Sequence, residues 1–555
     1  MVRNIFKNGK IIFLRRQTNI LSAAFVIMVT VLVSGLLGLF RDRLLAGRFF
    51  GGGEWQLDVY FAAFRLPDMI FQLLVIGALS AAFIPVFSEY LEKNKNEAYQ
   101  VASSIINIVL TFFILFGLLI FIFAPQLCRL IAPSFSPEKI ALMSSLTRLM
   151  LFAQVFFCIS NFLTGIIQSN QRFLVPALAP VAYNLGIIFG IIALTPTFGI
   201  YGPTLGVVIG ALLHFLVQIP LALKLGFSYL PLSWEFSHPG VKEIVRLMLP
   251  RTLALAVSQI EATVPVFLAS SLMAGSLTIF YFAQHLMNLP VGLFGATIGQ
   301  AALPALSQNS AKKDWQEFKK TFLSSFFQIL YLVLPASAIL LILRIPTVRL
   351  VFGTKNFPWQ ATILTGKTLA LFTIAIFSQS IIQVLVRGFY ALRNTKTPLL
   401  IGAFGVAINV FLSVLLTLRL GFGVLGLAAA TSIASFIHAV LLFVFLDRKV
   451  RGFERKSVFI PLFKMSLATL VTAVFLWIPM RVLDRYILDT TRTINLIILT
   501  ILASSIGLGV YILCSLIFKI GELAVFVGLA KKIGQWRKIL SESEEMIDST
   551  RTPQS

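Results

Sequence analysis

Residues 34–74 read SGLLGLFRDRLLAGRFFGGGEWQLDVYFAAFRLPDMIFQLL, a run that is apolar enough to enter a bilayer and yet carries charges along its length. An ionisable side chain at membrane depth costs roughly 2.5–3.5 kcal/mol on insertion scales, so such residues normally face a bundle interior or a water-filled cavity. Several charges in two consecutive segments therefore predict a polar cavity within a membrane protein. The charged residues of this run include Arg41, Asp42, Arg43, Arg48, Asp58, Arg65 and Asp68.

The composition of the whole chain agrees with a membrane location. Of its 555 residues, 58% are hydrophobic and only 12% are charged, which excludes a soluble globular protein of this length. Apolar stretches of about 20 residues, separated by turns or charges, predict roughly fourteen transmembrane helices. The expected fold class is an all-α polytopic membrane protein with both termini on one side.

The net charge of +24 is explained better by topology than by nucleic-acid binding. The basic residues are not gathered into one patch, and no extramembrane segment is long enough to fold into a nucleic-acid-binding domain. Most Lys and Arg residues fall in the connections on the side of the N-terminus, so the positive-inside rule predicts that both termini are cytoplasmic. The first apolar segment is too long for the core of a cleaved signal peptide and reads as an uncleaved span.

No motif of a soluble enzyme is present. The sequence has no P-loop, no dinucleotide-binding glycine motif and no His-Glu-x-x-His pattern, and its three cysteines lie far apart. We therefore expect neither a metal site nor a cofactor. His214 and His438, each alone on an apolar span, are expected to be packing residues.

The chain is divided by two connecting segments, around residues 226–243 and 447–458, which are rich in Pro, Gly and charged residues. The first two parts of the chain contain similar short sequences, Tyr60-Phe61-Ala62 and Tyr281-Phe282-Ala283. Such similarity is expected for a parallel repeat with a substrate site at its interface. The predicted parts are a cytoplasmic segment 1–19, a first lobe 20–230 with helices 1–6, a second lobe 231–447 with helices 7–12, a final helix pair 448–520 and a cytoplasmic tail 521–555.

Polar stripes on the first two spans give the strongest site candidates. Residues seven apart lie on nearly the same face of a helix, so Arg41 belongs to a stripe on the first span, while Asp58, Arg65 and Asp68 follow one another on the second. We take Arg41 and Asp58 as binding residues. For Arg65 and Asp68, an internal ion pair is an alternative to substrate contact.

Further candidates lie on the seventh and eighth spans. Arg251 stands near one end of the seventh span, and Glu261 is an intramembrane carboxylate and hence a candidate proton or cation site. His285 on the eighth span is a candidate substrate ligand, with a satisfied buried histidine as the alternative.

Three runs of this sequence carry a family resemblance. Residues 38–42 (GLFRD), 61–67 (FAAFRLP) and especially 77–90 (GALSAAFIPVFSEY) resemble the lipid II flippase family, called MurJ or MviN. Further matches lie at residues 304–307, 388–390 and 396–398, so the resemblance reaches at least the eleventh span.

The resemblance implies a transporter of the multidrug/oligosaccharidyl-lipid/polysaccharide exporter superfamily rather than an enzyme. Such proteins have two six-helix lobes in a V and alternate between inward-open and outward-open states. The implied cargo is lipid II, the undecaprenyl-linked peptidoglycan precursor, flipped from the cytoplasmic to the outer leaflet of the bacterial plasma membrane. The last two helices would form a groove for its lipid tail. Arg41, Asp42 and Asp58 fall where the family has functional charges, and Arg65 keeps a basic position.

Departures from the family pattern leave the cargo open. Where characteristic members carry further arginines this chain has Gly35, Phe71 and His285, and where they carry acids it has Ile76 and Asn288. Arg43, Arg251 and a protonated His285 are candidates to supply the missing positive charge.

Three other functions therefore stay open. The chain could flip another polyprenyl-diphosphate glycan, export drugs, or act as a non-transporting scaffold for cell-wall enzymes. A scaffold should require residues 521–555 and tolerate substitution of Arg41 and Asp58. Proton or cation coupling and binding to cell-wall synthesis enzymes are further expectations.

Overall fold

The computed structural model describes residues 20–79, 83–231 and 233–534, which form helices joined by short connections. Within these residues, thirteen helices are long and apolar enough to cross a membrane. They are preceded by a helix of 30 residues, Ile20–Phe49, about 45 Å long and thus longer than the roughly 30 Å hydrocarbon core. The predicted all-α polytopic fold is confirmed. The predicted segment 1–19 and the end of the predicted tail, from residue 535, lie outside the described residues.

We number the long helices α1 to α14 and name shorter ones by their residues. The bounds are α1 Ile20–Phe49, α2 Glu54–Ile76, α3 Lys95–Ile122, α4 Pro137–Ser169, α5 Leu174–Phe198, α6 Tyr201–Lys224, α7 Pro239–Ala269, α8 Ser276–Ala311, α9 Trp315–Ile342, α10 Trp359–Ala391, α11 Lys396–Arg419, α12 Val424–Lys449, α13 Arg455–Ile487 and α14 Thr493–Ile517. Shorter helices are Ile84–Lys93, Ala124–Ile131, Arg344–Phe352 and Glu522–Gly534.

Several helices begin at residues whose side chains cap them. The Asn94 side chain accepts a hydrogen bond from the Asn96 amide at the start of α3, and Asp314 accepts one from the Glu317 amide at the start of α9. Ser136 does the same for α4, where Pro137 occupies the first turn. Such caps satisfy amide groups that have no partner within the helix, so local sequence fixes where these spans enter the membrane region.

An internal repeat is visible in the backbone. Turns of π-helix lie in α2 at Gln72–Ile76, its last residues, and within α8 at Val291–Ala296; α2 and α8 are the second helices of the first and second sets of six. A second pair lies within α5 at Gly190–Leu194 and at the end of α11 at Leu415–Arg419. The two sets of six helices therefore share local irregularities as well as helix order.

Two glycines in these sets share one unusual conformation. Gly199, between α5 and α6, has φ 56° and ψ −131°, and Gly423, between α11 and α12, has φ 56° and ψ −134°. This region of φ and ψ is essentially restricted to glycine because a Cβ atom would clash with the backbone. Both hairpins thus depend on glycine at the same position.

Small residues allow α5 and α6 to pack closely. A Cβ atom added to Gly206 would lie 2.9 Å from the Cα of Gly190, and one added to Gly190 would meet the backbone of α6. Close backbone approach through small residues is the usual way in which helices associate in a membrane, where burial of apolar surface gives little driving force.

Large apolar side chains cover much of the outer surface of the bundle. On α3 the exposed residues include Phe112, Ile114, Leu115, Leu118 and Ile122, with exposed fractions of 44–54% for most of this face. A soluble protein rarely exposes a continuous apolar surface of this extent. The surface is therefore suited to contact with lipid.

At one end of the bundle, the first and second sets of six helices contact each other directly. Arg43 at the end of α1 donates a hydrogen bond to the carbonyl oxygen of Leu350 at 2.8 Å, and Asn356 donates one to the carbonyl oxygen of Gly47 at 2.8 Å. Ser270, at the end of α7, accepts a hydrogen bond from the amide of Ser134 at 3.4 Å. We call this the closed end, defined by Gly47, Ser134 and their partners.

The connection between α6 and α7 is fastened to α3 near the opposite end. The Asn107 amide nitrogen lies within 2.8–3.2 Å of the carbonyl oxygens of Leu230, Pro231 and Ser233, and the Tyr229 hydroxyl donates to the Asn107 carbonyl oxygen at 2.5 Å. The connection is therefore bound to a helix of the first set, although it leads into the second set.

Candidate functional site

A cavity of about 710 Å³ lies between the two sets of six helices. Side chains from α1, α2 and α5 line one wall, and side chains from α7, α8, α10, α11 and α12 line the other. Its polar lining residues are Arg41, Tyr60, Arg65, Asp68, Tyr183, Ser258, Glu261, Tyr281, Gln284, His285, Gln379, Gln383, Asn409, Ser413, Thr431, Ser435 and His438. The structure therefore brings Arg41, Arg65, Asp68, Glu261 and His285 from separate helices to one space.

Arg41 is held by two partners. Its Nε and Nη2 atoms lie 3.0 and 2.9 Å from Oδ1 of the neighbouring Asp42, and Nη1 donates to Oδ1 of Asn184 on α5 at 3.3 Å. The Asn184 amide in turn donates to the hydroxyl and carbonyl oxygens of Ser34. These contacts fix the orientation of the guanidinium group at the cavity wall.

Asp42 connects the two walls. It is fully buried behind Arg41, and its second oxygen, Oδ2, lies 2.6 Å from Nδ1 of His285 on α8. A buried carboxylate requires partners of this kind because burial without them is costly. Arg41, Asp42 and His285 therefore form a chain of contacts that joins α1 to α8.

Arg65 and Asp68 both line the cavity but do not pair with each other. Arg65 donates a hydrogen bond to Gln259 on α7, and Asp68 accepts one from Gln154 on α4 at 2.8 Å. Among the ion pairs of the described residues, none joins these two side chains. The alternative of an internal ion pair does not describe this state.

Asp58 lies outside the cavity, at the closed end. It accepts hydrogen bonds from the amides of Gly275 and Thr278 at 2.6 and 2.9 Å and from the Thr278 hydroxyl at 2.7 Å. These donors are the residue that precedes α8 and a residue of its first turn, where free amides and the helix dipole favour a negative charge. In this arrangement, Asp58 ties α2 to α8 rather than facing the central space.

Glu261 lines the cavity from α7 and has a neighbour on α11. The Asn409 amide donates to Oε1 of Glu261 at 3.0 Å, and the Ser413 hydroxyl donates to the other end of the Asn409 side chain at 3.1 Å. A chain of hydrogen bonds from Ser413 through Asn409 thus holds the Glu261 carboxylate on the second wall.

Arg251 and Arg43 do not line the described cavity. Arg251 lies half-buried on α7 beside Thr252, whose hydroxyl donates to the carbonyl oxygen of Leu73 at 3.0 Å. Arg43 is engaged with backbone carbonyl groups at the closed end. In this structure neither arginine supplies the positive charge that the family pattern lacks.

The positions that depart from the family pattern are mostly outside the cavity. Gly35, Phe71, Ile76 and Asn288 are absent from the lining of the described cavity, whereas His285 is part of it. A Cβ atom at Gly35 would lie 2.8 Å from Cδ2 of Leu289, so this position packs against α8. Phe71 packs on Phe157 with ring centres 6.0 Å apart.

Sequence reasoning missed the neutral polar residues of the second wall. Gln379 and Gln383 on α10, and Ser435 and His438 on α12, line the cavity. The spacing of four between the glutamines is a signal that a search for charged stripes overlooks. The sequence predicts that His214 and His438 are packing residues. His214 is one, since it is buried with Nδ1 2.7 Å from the Ser160 hydroxyl, whereas His438 lines the cavity.

The electrostatic balance of the site follows from these contacts. On the first wall and directly behind it, two guanidinium groups, those of Arg41 and Arg65, face two carboxyl groups, those of Asp42 and Asp68. In the part of the chain that the structure describes, no cluster of metal-binding side chains occurs. The arrangement suits an anionic ligand that displaces Asp42 from Arg41 and Gln259 from Arg65.

In comparisons with known proteins, the matching family model and the similar relatives carry the same description. The family model "Lipid II flippase MurJ" matches residues 48–494. A probable lipid II flippase MurJ of Bdellovibrio bacteriovorus is 31% identical over 81% of this chain and 87% of its own length. A probable lipid II flippase MurJ of Thermotoga maritima is 30% identical over 88% of this chain and 95% of its own length.

Solved structures show the same relationship. A lipid II flippase MurJ in an inward closed conformation aligns with a TM-score of 0.74 at 27% identity, covering 89% of this chain and 98% of that protein. A multidrug resistance transporter of the MATE family aligns with a TM-score of 0.62 at 14% identity over 77% of this chain and 98% of its own, a likeness of fold alone. With a family match over most of its length and relatives of this similarity, the chain belongs to the lipid II flippase MurJ family.

Proposed function

We propose that this protein flips lipid II across the membrane by alternating access. The observation that carries this proposal is a cavity between two sets of six membrane helices, with Arg41 and Arg65 on its wall, in a chain of the MurJ family. A diphosphate is anionic, and guanidinium groups bind phosphate oxygens in a bidentate manner. Arg41 and Arg65 are the proposed diphosphate ligands.

The remaining candidate residues have supporting roles in this proposal. Asp42 and His285 hold Arg41 until the cargo arrives, and Asp68 limits the positive charge of the empty cavity. Asp58 stabilises the closed end through its contacts with α8. Arg251 is placed outside the cavity here, so it contacts cargo only if α7 moves.

We further propose that the parts of the chain have distinct roles. Residues 20–230 and 231–447 form the moving lobes, residues 448–520 hold the lipid tail, and 521–555 form a cytoplasmic tail. The excess of basic residues in connections on one side supports cytoplasmic termini in a bacterial plasma membrane. The closed end then faces outward.

Substitution of Arg41 tests the function directly. A bacterium depleted of its own flippase should grow when it expresses the wild-type protein but not when it expresses Arg41→Ala, because the diphosphate loses its best-placed ligand. Membrane insertion of the variant should stay normal. Arg148→Ala is a matched control, since Arg148 lies on Phe121 at the bundle surface away from the cavity. Normal growth with Arg41→Ala at ordinary expression would contradict the assignment.

A drug antiporter, or a flippase for another polyprenyl-diphosphate glycan, is the second candidate. The uncharged residues at Gly35 and Phe71 keep this candidate open, whereas the family match and the named relatives favour lipid II. Mass spectrometry of lipids that copurify with the protein separates these functions. Lipid II supports the proposal, a different polyprenyl-diphosphate species supports another glycan, and drug binding without such a lipid supports an antiporter.

We propose that a proton or monovalent cation couples to transport at Glu261. Glu261 is a carboxyl group on the cavity wall within the membrane helices, and the hydrogen bond from the Asn409 amide to its Oε1 leaves Oε2 for a proton or a cation. Glu261→Gln should remove the dependence of transport on the ion gradient in proteoliposomes, whereas exchange of cargo without a gradient should remain. Unchanged gradient dependence in this variant would show that coupling takes place elsewhere.

A further inference from the structure

The second wall of the cavity has a surface of neutral hydrogen-bonding groups that the proposed function does not use. We call it the glutamine wall and define it as Gln284 on α8, Gln379 and Gln383 on α10, and Ser435 on α12. The charged groups that are proposed to take the diphosphate lie on the opposite wall. Chemical character therefore differs between the two sides of one cavity.

The glutamine wall keeps unused hydrogen-bonding capacity. The Gln379 amide nitrogen donates to the Ser435 hydroxyl at 3.3 Å, which leaves the carbonyl oxygen of Gln379 available. The carbonyl oxygen of Gln383 accepts from Arg387 at 3.0 Å, which leaves its amide nitrogen available. One acceptor and one donor, four residues apart on a single helix face, thus border the cavity.

Arg387 stands behind the glutamine wall and does not line it. Its Nη1 atom is committed to the carbonyl and side-chain oxygens of Gln383 at 2.8 and 3.0 Å, and Arg387 is not among the residues that line the described cavity. Gln383 is therefore the group presented to the cavity, and it is held in place by the arginine behind it. A side chain fixed in this way loses little freedom when it binds a ligand.

We propose that the glutamine wall recognises the uncharged sugar part of the cargo. Sugar hydroxyl and N-acetyl groups are neutral donors and acceptors, which amide side chains match on both counts. A site built to hydrogen-bond such groups discriminates strongly against a ligand without them, because its own polar groups then stay unpaired. The inference rests on the proposed function, in that the cargo is a lipid-linked glycan.

The division of the cavity predicts how two ligands bind. Undecaprenyl diphosphate has the diphosphate without the sugars, so it should need Arg41 and Arg65 but not the glutamine wall. Lipid II has both parts and should bind the wild-type protein about tenfold more tightly, as expected for two additional hydrogen bonds.

The test measures the affinity of the purified full chain for both lipids in nanodiscs. Gln379→Met with Gln383→Met keeps side-chain length but removes the amides, and it should lower the affinity for lipid II about tenfold. The affinity for undecaprenyl diphosphate should change by less than about twofold, which also shows that the variant is folded. Gln328→Met on α9 is a matched control, since Gln328 lies outside the cavity and bonds only to Ser324.

Each outcome of this test has a distinct meaning. If the wild-type protein binds both lipids equally, or if the double variant weakens both to the same extent, the glutamine wall does not recognise the sugar and the proposed function stands. If the wild-type protein binds neither lipid, the proposed function fails and the inference fails with it. Should the double variant bind neither lipid, the two single variants decide, and each should lose about threefold for lipid II alone.

Discussion

Arg41 occupies a place where an internal carboxyl group and a cargo phosphate compete. Its guanidinium group contacts Asp42 and Asn184. A phosphate that enters the cavity must replace one of these contacts, so the net gain in binding free energy is smaller than for an unpaired arginine. Moderate affinity is useful to a transporter, because the cargo must also leave.

Asp58 gives a prediction at the scale of single residues. Asp58→Ala removes three hydrogen bonds between α2 and the start of α8 and should weaken the closed end, since bonds to a charged group are worth about 1.5–3 kcal/mol each. Spin labels at Thr197→Cys and Met273→Cys, one on each set of helices, should then report a larger distance. Asp489→Ala, at an exposed carboxylate, is the control, and an unchanged distance in Asp58→Ala would refute this role.

Asp58 also shows what residue spacing can and cannot predict. The stripe that contains Asp58, Arg65 and Asp68 fixes a helix face, and two of these residues do reach the cavity. Asp58 and Asp68 are nevertheless ten residues apart, which is about 15 Å along a helix axis. Residue spacing predicts which face of the helix a side chain lies on but not which residues along the axis reach the cavity. The position of the cavity along α2 depends on contacts with α7 and α8, which local sequence does not reveal.

At the scale of elements, the connection between α6 and α7 has a mechanical role. Asn107→Ala should loosen the attachment of residues 226–238 to α3, because this side chain binds three of their carbonyl groups, while Ser103 and Ser104 keep their own hydrogen bonds to the segment. Hydrogen exchange in this segment should increase by about tenfold or more, as expected when at least one net hydrogen bond is lost. Asn161→Ala serves as the control, since Asn161 bonds only within its own helix. Equal exchange in both variants would contradict the role of Asn107.

The paired glycines give a second prediction for elements. Gly199→Ala and Gly423→Ala should each destabilise the protein by roughly 1–3 kcal/mol, because alanine is strained at φ 56° and ψ near −130°. Gly509→Ala is the matched control: among the described residues, no heavy atom lies within 4 Å of its added Cβ atom, apart from its chain neighbours and the backbone of its own helix, and its backbone is helical. Thermal unfolding in detergent should show lower midpoints for the first two variants only. A loss at just one of the two hairpins would argue against their equivalence.

The elements themselves were largely predictable from sequence. Each long helix coincides with an apolar run, because a span needs only length and low charge. The π-helical turns at 72–76 and 291–296 carry no comparable signal, since their residues resemble the helix around them. The neutral residues of the second wall were missed for a related reason: a single Gln379 or His438 within an apolar helix does not indicate which helices meet around it.

At the scale of the whole molecule, the balance of charge between Arg41, Arg65, Asp42 and Asp68 has a consequence for energetics in a polarised membrane. When Glu261 is neutralised by its proposed proton or cation, the unloaded carrier has matched opposite charges. It then moves little net charge when it changes state, so a voltage has little effect on its return. The loaded carrier moves with the negative diphosphate, and a voltage of 100 mV acts on each elementary charge with about 2.3 kcal/mol.

This asymmetry predicts that an interior-negative potential accelerates the outward, loaded half of the cycle and leaves the empty half nearly unchanged. The voltage dependence of the loaded half is measured as the rate of flipping in proteoliposomes with an imposed potassium diffusion potential. The voltage dependence of the empty half is measured as the rate at which the carrier returns after it has released its cargo. Equal voltage dependence of both halves would show that the protein moves a charge of its own. Pairing its fixed charges would thus leave the resting bacterial membrane voltage to set the direction of travel.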